Sequence, residues 1–227
     1  MPARSPAAAN RDALLVLPGF GYGRGDGDAF RALAKSAPAS GIDVYVPAYV
    51  TRGGLEDTRR TLRAFIRHER LDRYERVHVV AFIAGAWTVN PLVDSGELPN
   101  LATIVYDRSP FQERAPIIAV RDMPVAAWLR YGHTIFDLAR TPYPPLARTD
   151  VKVGLVVETV ATGFVRKHAR PADTPGADAF ACDRFGDRFD DCLHVAMSHD
   201  DLYTRFAEVW PAIAAFVRSG HFPARPL

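Results

Sequence analysis

The sequence predicts an α/β fold in which a predominantly parallel sheet carries helices on both faces and is interrupted by a small lid-like excursion. Short apolar, β-branched runs alternate along the chain with amphipathic segments of helical length, which is typical of a sheet built from β-α-β units. One run, residues 77–82, passes almost without a loop into the helical segment 84–93. Right-handed crossovers place the carboxyl end of every such strand at one edge of the sheet, where ligands bind.

The elements follow one another with short connections. Strands are predicted over residues 13–17, 42–46, 77–82, 101–106, 151–157 and 192–197. Helices are predicted over residues 28–39, 55–67, 84–93 and 200–219, the last with a kink at Pro211. The excursion, at about residues 111–148, is rich in proline and aromatic residues, and predicts one or two short helices with irregular chain.

Length and composition indicate a single domain. The chain has 227 residues, of which 48% are hydrophobic, and this is enough for a substantial core. We expect the domain to cover residues 12–227. Residues 1–11 contain small side chains but no apolar segment of a secretory signal, so they predict a frayed tail.

Charge and cysteine usage exclude several classes of function. The net charge is only +2, from 28 basic and 26 acidic residues, so no nucleic-acid partner is expected. No apolar run approaches the roughly 20 residues that span a membrane. Without an export signal, a cytoplasmic location and reduced thiols at Cys182 and Cys192 are the default expectation, although a disulfide across that short loop is geometrically feasible.

No cofactor or metal is predicted. The glycine-rich loop that begins at Pro18 lacks both the Gly-Lys-Ser/Thr of a phosphate loop and the spacing of a dinucleotide fingerprint. The cysteines and histidines lack zinc spacing, and the acidic stretch 183–191 lacks the ligand order of a calcium loop. Glycines in such a loop also serve where the backbone passes close to a ligand or a neighbouring strand.

Three features carry a resemblance to a known family. They are the loop Pro18-Gly19-Phe20 after the first strand, the small residues Ala81 and Gly85 two positions either side of Ile83, and His199 between the last strand and the last helix. In this order they resemble the α/β-hydrolase superfamily, over about residues 12–220. The resemblance implies a nucleophile elbow at Ile83, oxyanion-holding amides at Phe20 and Ala84, and a catalytic histidine at His199.

The sequence departs from that family at two positions. Ile83 has no atom that can attack a carbonyl, and a β-branched residue at the strained elbow would cost on the order of 1–3 kcal/mol. The family's usual acid position, near Thr162, carries no carboxylate. Asp107, at the end of the preceding strand, would replace that acid or form an ion pair with a neighbouring arginine. Glu158 would replace it only if the turn differs.

Ser109 and His199 leave further alternatives. Ser109 would be a displaced nucleophile close to the elbow, but a serine before proline is more often a turn residue. His199 would act as a base or bond local backbone at a helix start.

Two hypotheses about function follow. The first is a pseudo-hydrolase that binds a small acyl or ester-like ligand, or a protein partner or second copy of the chain. The second is an active esterase, hydrolase or lyase-type enzyme with His199 as base and Asp107 as a relocated acid. A retained cavity with a buried His199 would favour the enzyme, whereas a cavity filled by Ile83 and the aromatic residues of the excursion would favour the pseudoenzyme.

Overall fold

The computed structural model describes residues 12–20, 30, 32, 41–107, 115–170, 182 and 188–224. Within them, six strands form one sheet in the order β2-β1-β3-β4-β5-β6, and every neighbouring pair is parallel. The strands are β1 (Asp12–Leu17), β2 (Ile42–Tyr45), β3 (Arg76–Ala81), β4 (Leu101–Asp107), β5 (Lys152–Glu158) and β6 (Asp191–Val195). The predicted parallel sheet is confirmed.

Helices connect these strands. In the described residues they are α1 (Leu55–His68), α2 (Ala84–Asp94), α3 (Ala115–Asp122), α4 (Pro124–Tyr131), α5 (His133–Arg140), α6 (Gly163–His168), α7 (His199–Thr204) and α8 (Phe206–Ser219). A short 3₁₀ turn, Leu71–Arg73, precedes β3. Most of the helix predicted over residues 28–39 lies outside the described residues.

Helices cover both faces of the sheet because side chains alternate along each strand. Leu15 and Leu17 of β1 belong to a core that also contains side chains of α1 and α2. Leu14 and Val16 point to the other face, into a core completed by α7 and α8. Each fully buried side chain of this kind contributes about 1.5–3 kcal/mol, so the two cores hold the central strands rigidly.

The excursion contains more helix than its sequence predicts. Among the described residues, three helices, α3 to α5, follow one another over residues 115–140, and residues 141–150 are irregular. Two of the prolines lie in the first turn of a helix rather than breaking one: Pro116 is the second residue of α3, and Pro124 occupies the first position of α4, where a missing amide donor costs nothing. Gly132 joins α4 to α5 with φ of 68°.

The last helical segment contains a break that the sequence does not predict. The chain leaves the helical conformation at Arg205, which ends α7 and starts α8. Pro211 lies inside α8, six residues after this break, and the kink predicted there stays a prediction. The capped start of α7 fixes its direction independently of α8, because Ser198 and Asp201 form a reciprocal capping box.

The expectation of two reduced thiols is not met. Cys182 and Cys192 form a disulfide, and their Cα atoms are 6.4 Å apart, within the range that a disulfide requires. Disulfides are typical of oxidising compartments, so this bond does not support the cytoplasmic location, which stays a prediction.

Among the described residues, no helix combines the length and the apolar composition needed to cross a bilayer.

We predict that Gly132→Ala destabilises the fold more than Gly41→Ala does. Both glycines have positive φ, so both substitutions should cost about 1 kcal/mol through backbone strain. A Cβ on Gly132 would also overlap the carbonyl oxygen of Arg52, whereas a Cβ on Gly41 would meet nothing within 4 Å. Urea unfolding should show a loss above about 2 kcal/mol for Gly132→Ala. Equal losses would contradict the described packing.

Candidate functional site

The elbow between β3 and α2 has the tight geometry that its small residues predict. The chain turns at Phe82 and Ile83, and the amide of Gly85 donates to the carbonyl of Phe82 over 2.6 Å. A Cβ on Gly85 would lie 3.1 Å from the side chains of Ala81 and Leu17, so only glycine fits without displacing them. The small residues therefore allow α2 to start directly against β1 and β3.

Ile83 has a strained backbone conformation with positive φ, as expected for the residue at the tip of a nucleophile elbow, although its side chain has no nucleophilic atom. Its φ is 23° and its ψ is −93°, outside the regions that a β-branched residue prefers. The backbone amide of Ile83 donates to Oδ1 of Asp107 over 3.1 Å. The elbow has not relaxed, and a buried carboxylate stabilises it in the strained form.

The same carboxylate contacts His199. Oδ2 of Asp107, at the end of β4, lies 2.5 Å from Nδ1 of His199, at the start of α7. The Ser198 side chain caps α7 by accepting from the amide of Asp201, which fixes the position of His199 on the first turn. The structure thus brings Asp107 and His199 together, and Asp107 forms its ion pair with the histidine rather than with an arginine among the described residues.

Glu158 is a third ionisable group at this point. Oε1 of Glu158, at the end of β5, lies 3.8 Å from Nδ1 of His199. The three residues are nearly inaccessible to solvent, with exposed fractions of 2% for Asp107, 0% for Glu158 and 7% for His199. Sequence reasoning treated the two carboxylates as alternatives, whereas the strand register places both beside the same imidazole ring.

The position at which the family usually carries its acid has a different role. Thr162 begins α6, and its hydroxyl accepts a hydrogen bond from the amide of Val165 over 3.3 Å. A helix cap therefore stands where a carboxylate would be expected, and both acids of the site come from strand ends.

The two carboxylates determine the protonation of His199. Burial alone lowers the pKa of a histidine, but the charge and close contact of Asp107, with a smaller contribution from Glu158, outweigh burial and raise the pKa of His199 to about 10. Burial in turn raises the pKa of Glu158, which favours its neutral form. The raised pKa favours the imidazolium form of His199 at neutral pH, and in this form the ring can donate a proton.

These three residues also satisfy a spacing that metal ligands can have. One ligand atom of each lies within 4.8 Å of the others. Two ligands at right angles, each about 2.1 Å from an ion, are separated by roughly 3 Å. The 2.5 Å between Oδ2 of Asp107 and Nδ1 of His199 is shorter than that separation. The sequence prediction of no metal remains a prediction.

A cavity of about 370 Å³ opens beside His199 and Ile83. Most of its wall is formed by apolar side chains of the excursion helices, and Phe20 and Phe164 also contribute to it. The residues that line it are Phe20, Ile83, Ala115, Pro116, Ala119, Met123, Ala126, Ala127, Arg130, Tyr131, Ile135, Thr162, Phe164, His199 and Asp200. Ile83 and Tyr131, one of the aromatic residues of the excursion, line this space without filling it.

The two predicted oxyanion-holding residues flank the same region. Phe20 lines the cavity, and Ala84 is the first residue of α2, where a helix amide has no acceptor within its own helix. Ser109 lies outside the described residues, so its predicted role as a displaced nucleophile stays a prediction.

Sequence reasoning missed Tyr203, which links the early loop to His199. The amide of Gly19 donates to the hydroxyl oxygen of Tyr203, and the Tyr203 ring packs edge-on against His199 at 4.9 Å between centroids. A Cβ on Gly19 would lie 2.6 Å from that hydroxyl oxygen, so the glycine is required for the contact. The only signal in the sequence was the helical spacing of Tyr203 from His199.

We predict that His199 makes the protein less stable as pH rises from 6.5 to 10. Its pKa is higher in the folded state than the ordinary 6.5, so the folded state binds the proton more tightly. The stabilisation is complete below pH 6.5 and is lost as pH rises through about 10. Urea unfolding across this range should show a steeper decline for the natural protein than for His199→Gln. Parallel curves would contradict this protonation.

Comparisons with known proteins agree with this architecture. No family model matches the chain, and no curated protein matches it in sequence. Among solved structures it is similar to the lipase BlEst2 of Bacillus licheniformis, with a TM-score of 0.60 and 12% identity over 93% of this chain and 95% of that one. It is also similar to Est1E of Butyrivibrio proteoclasticus, with a TM-score of 0.59 and 12% identity over 95% and 90% of the two chains.

A third similar structure, NosK of Streptomyces actuosus, has a TM-score of 0.53 and 16% identity over 93% of this chain and 99% of that one. At such identities the likeness concerns the fold alone. The predicted resemblance is confirmed at that level: this chain has the α/β-hydrolase fold.

Proposed function

We propose that this protein is an enzyme that binds a small acyl compound in the 370 Å³ cavity and hydrolyses it by proton transfer through His199, without a covalent acyl-enzyme. The single observation that supports this proposal best is the 2.5 Å contact between Asp107 and His199, since the same histidine lines an open cavity. A site that only binds a ligand would not need a buried ion pair, which costs desolvation energy.

The proposed reaction uses His199 first as an acid. Water adds to the acyl carbonyl carbon, and the amides of Phe20 and Ala84 hold the developing oxyanion. Each such donor is worth roughly 3–4 kcal/mol in favourable cases. The imidazolium donates its proton to the leaving oxygen, and the neutral ring then accepts the proton lost by the attacking water. The products are a carboxylic acid and an alcohol, and the imidazolium is restored.

The pseudo-hydrolase hypothesis is the second candidate. Ile83 supports it, because the elbow tip has no nucleophile and its side chain lines the cavity. The open cavity and the buried His199 support the enzyme instead, because loss of function would leave no reason to maintain a strained elbow beside an ion pair. A protein partner, a homo-oligomer and a cytoplasmic location remain predictions.

We expect the natural protein to hydrolyse a short-chain p-nitrophenyl ester above the buffer rate, and His199→Gln to lose at least tenfold in kcat/KM. Asp107→Asn should lose activity similarly because it removes the partner of the imidazolium. Ser109→Ala is the control and should retain activity. If Ser109→Ala alone loses activity, a displaced serine nucleophile replaces our proposal. If the natural protein and all variants are inactive but still unfold cooperatively, the pseudo-hydrolase hypothesis replaces it.

We also expect Ile83→Ser to gain a reactive serine. The elbow conformation, the histidine and its acid are in place, so a hydroxyl at this position would have a base beside it once His199 is deprotonated. A fluorophosphonate probe should label Ile83→Ser increasingly as pH rises toward 10, and should leave Ile83→Ala unlabelled. Equal labelling of both variants would show that the probe reacts elsewhere.

A further inference from the structure

We propose that the substrate of this site carries an anionic, phosphate-bearing alcohol portion, bound in a second cavity next to the first. This inference rests on the proposed function, since it assigns the two ends of the same acyl compound. The argument comes from where the second cavity lies, from the charges of its lining, and from the residues that the two cavities share.

The second cavity has a volume of about 190 Å³ and lies between the loops that follow β1 and β2. It is lined by Pro18, Gly19, Phe20, Pro47, Ala48, Tyr49, Val50, Thr51, Arg52, Arg130 and Tyr131. Three of these residues, Phe20, Arg130 and Tyr131, also line the first cavity. The two spaces therefore meet at these side chains, and one ligand could occupy both.

The lining of the second cavity is positively charged. Among the described residues that line it, Arg52 and Arg130 are basic and none is acidic. Across the described ranges of the chain, no carboxylate forms an ion pair with either guanidinium. Arginines without an ion-pair partner among the described residues favour an anion in a neighbouring cavity, and a planar guanidinium matches two phosphate oxygens at once.

The excursion holds the two arginines in place. The guanidinium of Arg52 donates to the carbonyl oxygens of Leu129 and Trp128 over 2.7 and 3.2 Å, at the carboxyl end of α4. Arg130 follows on the same helix, and its guanidinium lies 5.4 Å from the centre of the Tyr131 ring. Arg52 thus has a structural role as well, so Arg130 is the better residue to test.

The junction orients the substrate. Phe20 belongs to both cavities, and its amide is one of the two donors assigned to the oxyanion. A carbonyl at this point would place the acyl chain in the apolar first cavity, beside His199. The alcohol portion would then extend toward Arg52 and Arg130. Asp200, the acidic residue at the first cavity, does not line the second, so it would not oppose the anion there.

The test uses two matched pairs of probes. For turnover, we would compare octanoyl glycerol 3-phosphate with octanoyl glycerol, which have the same acyl chain and differ by the phosphate. For binding, we would compare the corresponding octyl ethers, which cannot be hydrolysed, by calorimetry at low and high salt. We expect the phosphorylated ether to bind at least tenfold more tightly than the neutral ether at low salt, and its advantage to shrink at high salt.

Variants of arginines on α4 and α3 complete the test. Arg130→Gln should remove most of the preference, and Arg130→Lys should retain part of it. The control Arg121→Gln changes the same charge on α3, where Arg121 is paired with Asp122 and lines neither cavity, and it should retain the full preference. Equal binding of the two ethers by the natural protein, or an unchanged preference in Arg130→Gln, would overturn the inference.

The binding arm separates this inference from the proposed function. A preference for the phosphorylated ether that depends on Arg130, in a protein without turnover of either ester, would support the anion subsite and refute the hydrolase. Turnover that depends on His199 but is equal for the two esters would refute the subsite and support the hydrolase.

Discussion

The geometry of the site depends on the carboxylate of Asp107. One oxygen accepts a hydrogen bond from the amide of Ile83, and the other contacts Nδ1 of His199. A single buried side chain thus stabilises the strained elbow and orients the histidine across the ends of two neighbouring strands. Because β3 and β4 are adjacent and parallel, their carboxyl ends lie side by side, and this places Asp107 next to the elbow without any contribution from the excursion.

The charge balance of the cluster explains how a site without a nucleophile can still be coherent. In a serine hydrolase the histidine must be neutral at working pH to deprotonate the serine, so a strongly raised pKa would be a disadvantage. Ile83 has no proton to remove. The raised pKa of His199 therefore carries no cost to that step, and the buried Asp107 beside the ring favours the imidazolium. An elbow tip without a nucleophile and a second buried acid are therefore physically compatible features of one site.

The loop after β1 and the excursion complete the surroundings of the histidine. Tyr203 contacts the ring of His199 and accepts a hydrogen bond from Gly19, so the position of the early loop is coupled to the histidine. The excursion contacts that loop through the rings of Phe20 and Tyr131, which lie 4.7 Å apart. The apolar cavity therefore lies between a fixed sheet edge and helices that are anchored to it through aromatic and backbone contacts.

Much of the fold could be predicted from the sequence, because strand and helix periodicities and the small residues around Ile83 are local signals. The sequence likewise determined that no nucleophile stands at the elbow, since side-chain chemistry needs no coordinates. The conjunction of Asp107 and Glu158 at one imidazole could not be predicted, because it depends on strand register and on the start of α7. The helical content of the excursion, its cavities and the Cys182–Cys192 bond were likewise decided by tertiary structure. Long-range packing fixes these distances, and no pattern within a short stretch of chain encodes them.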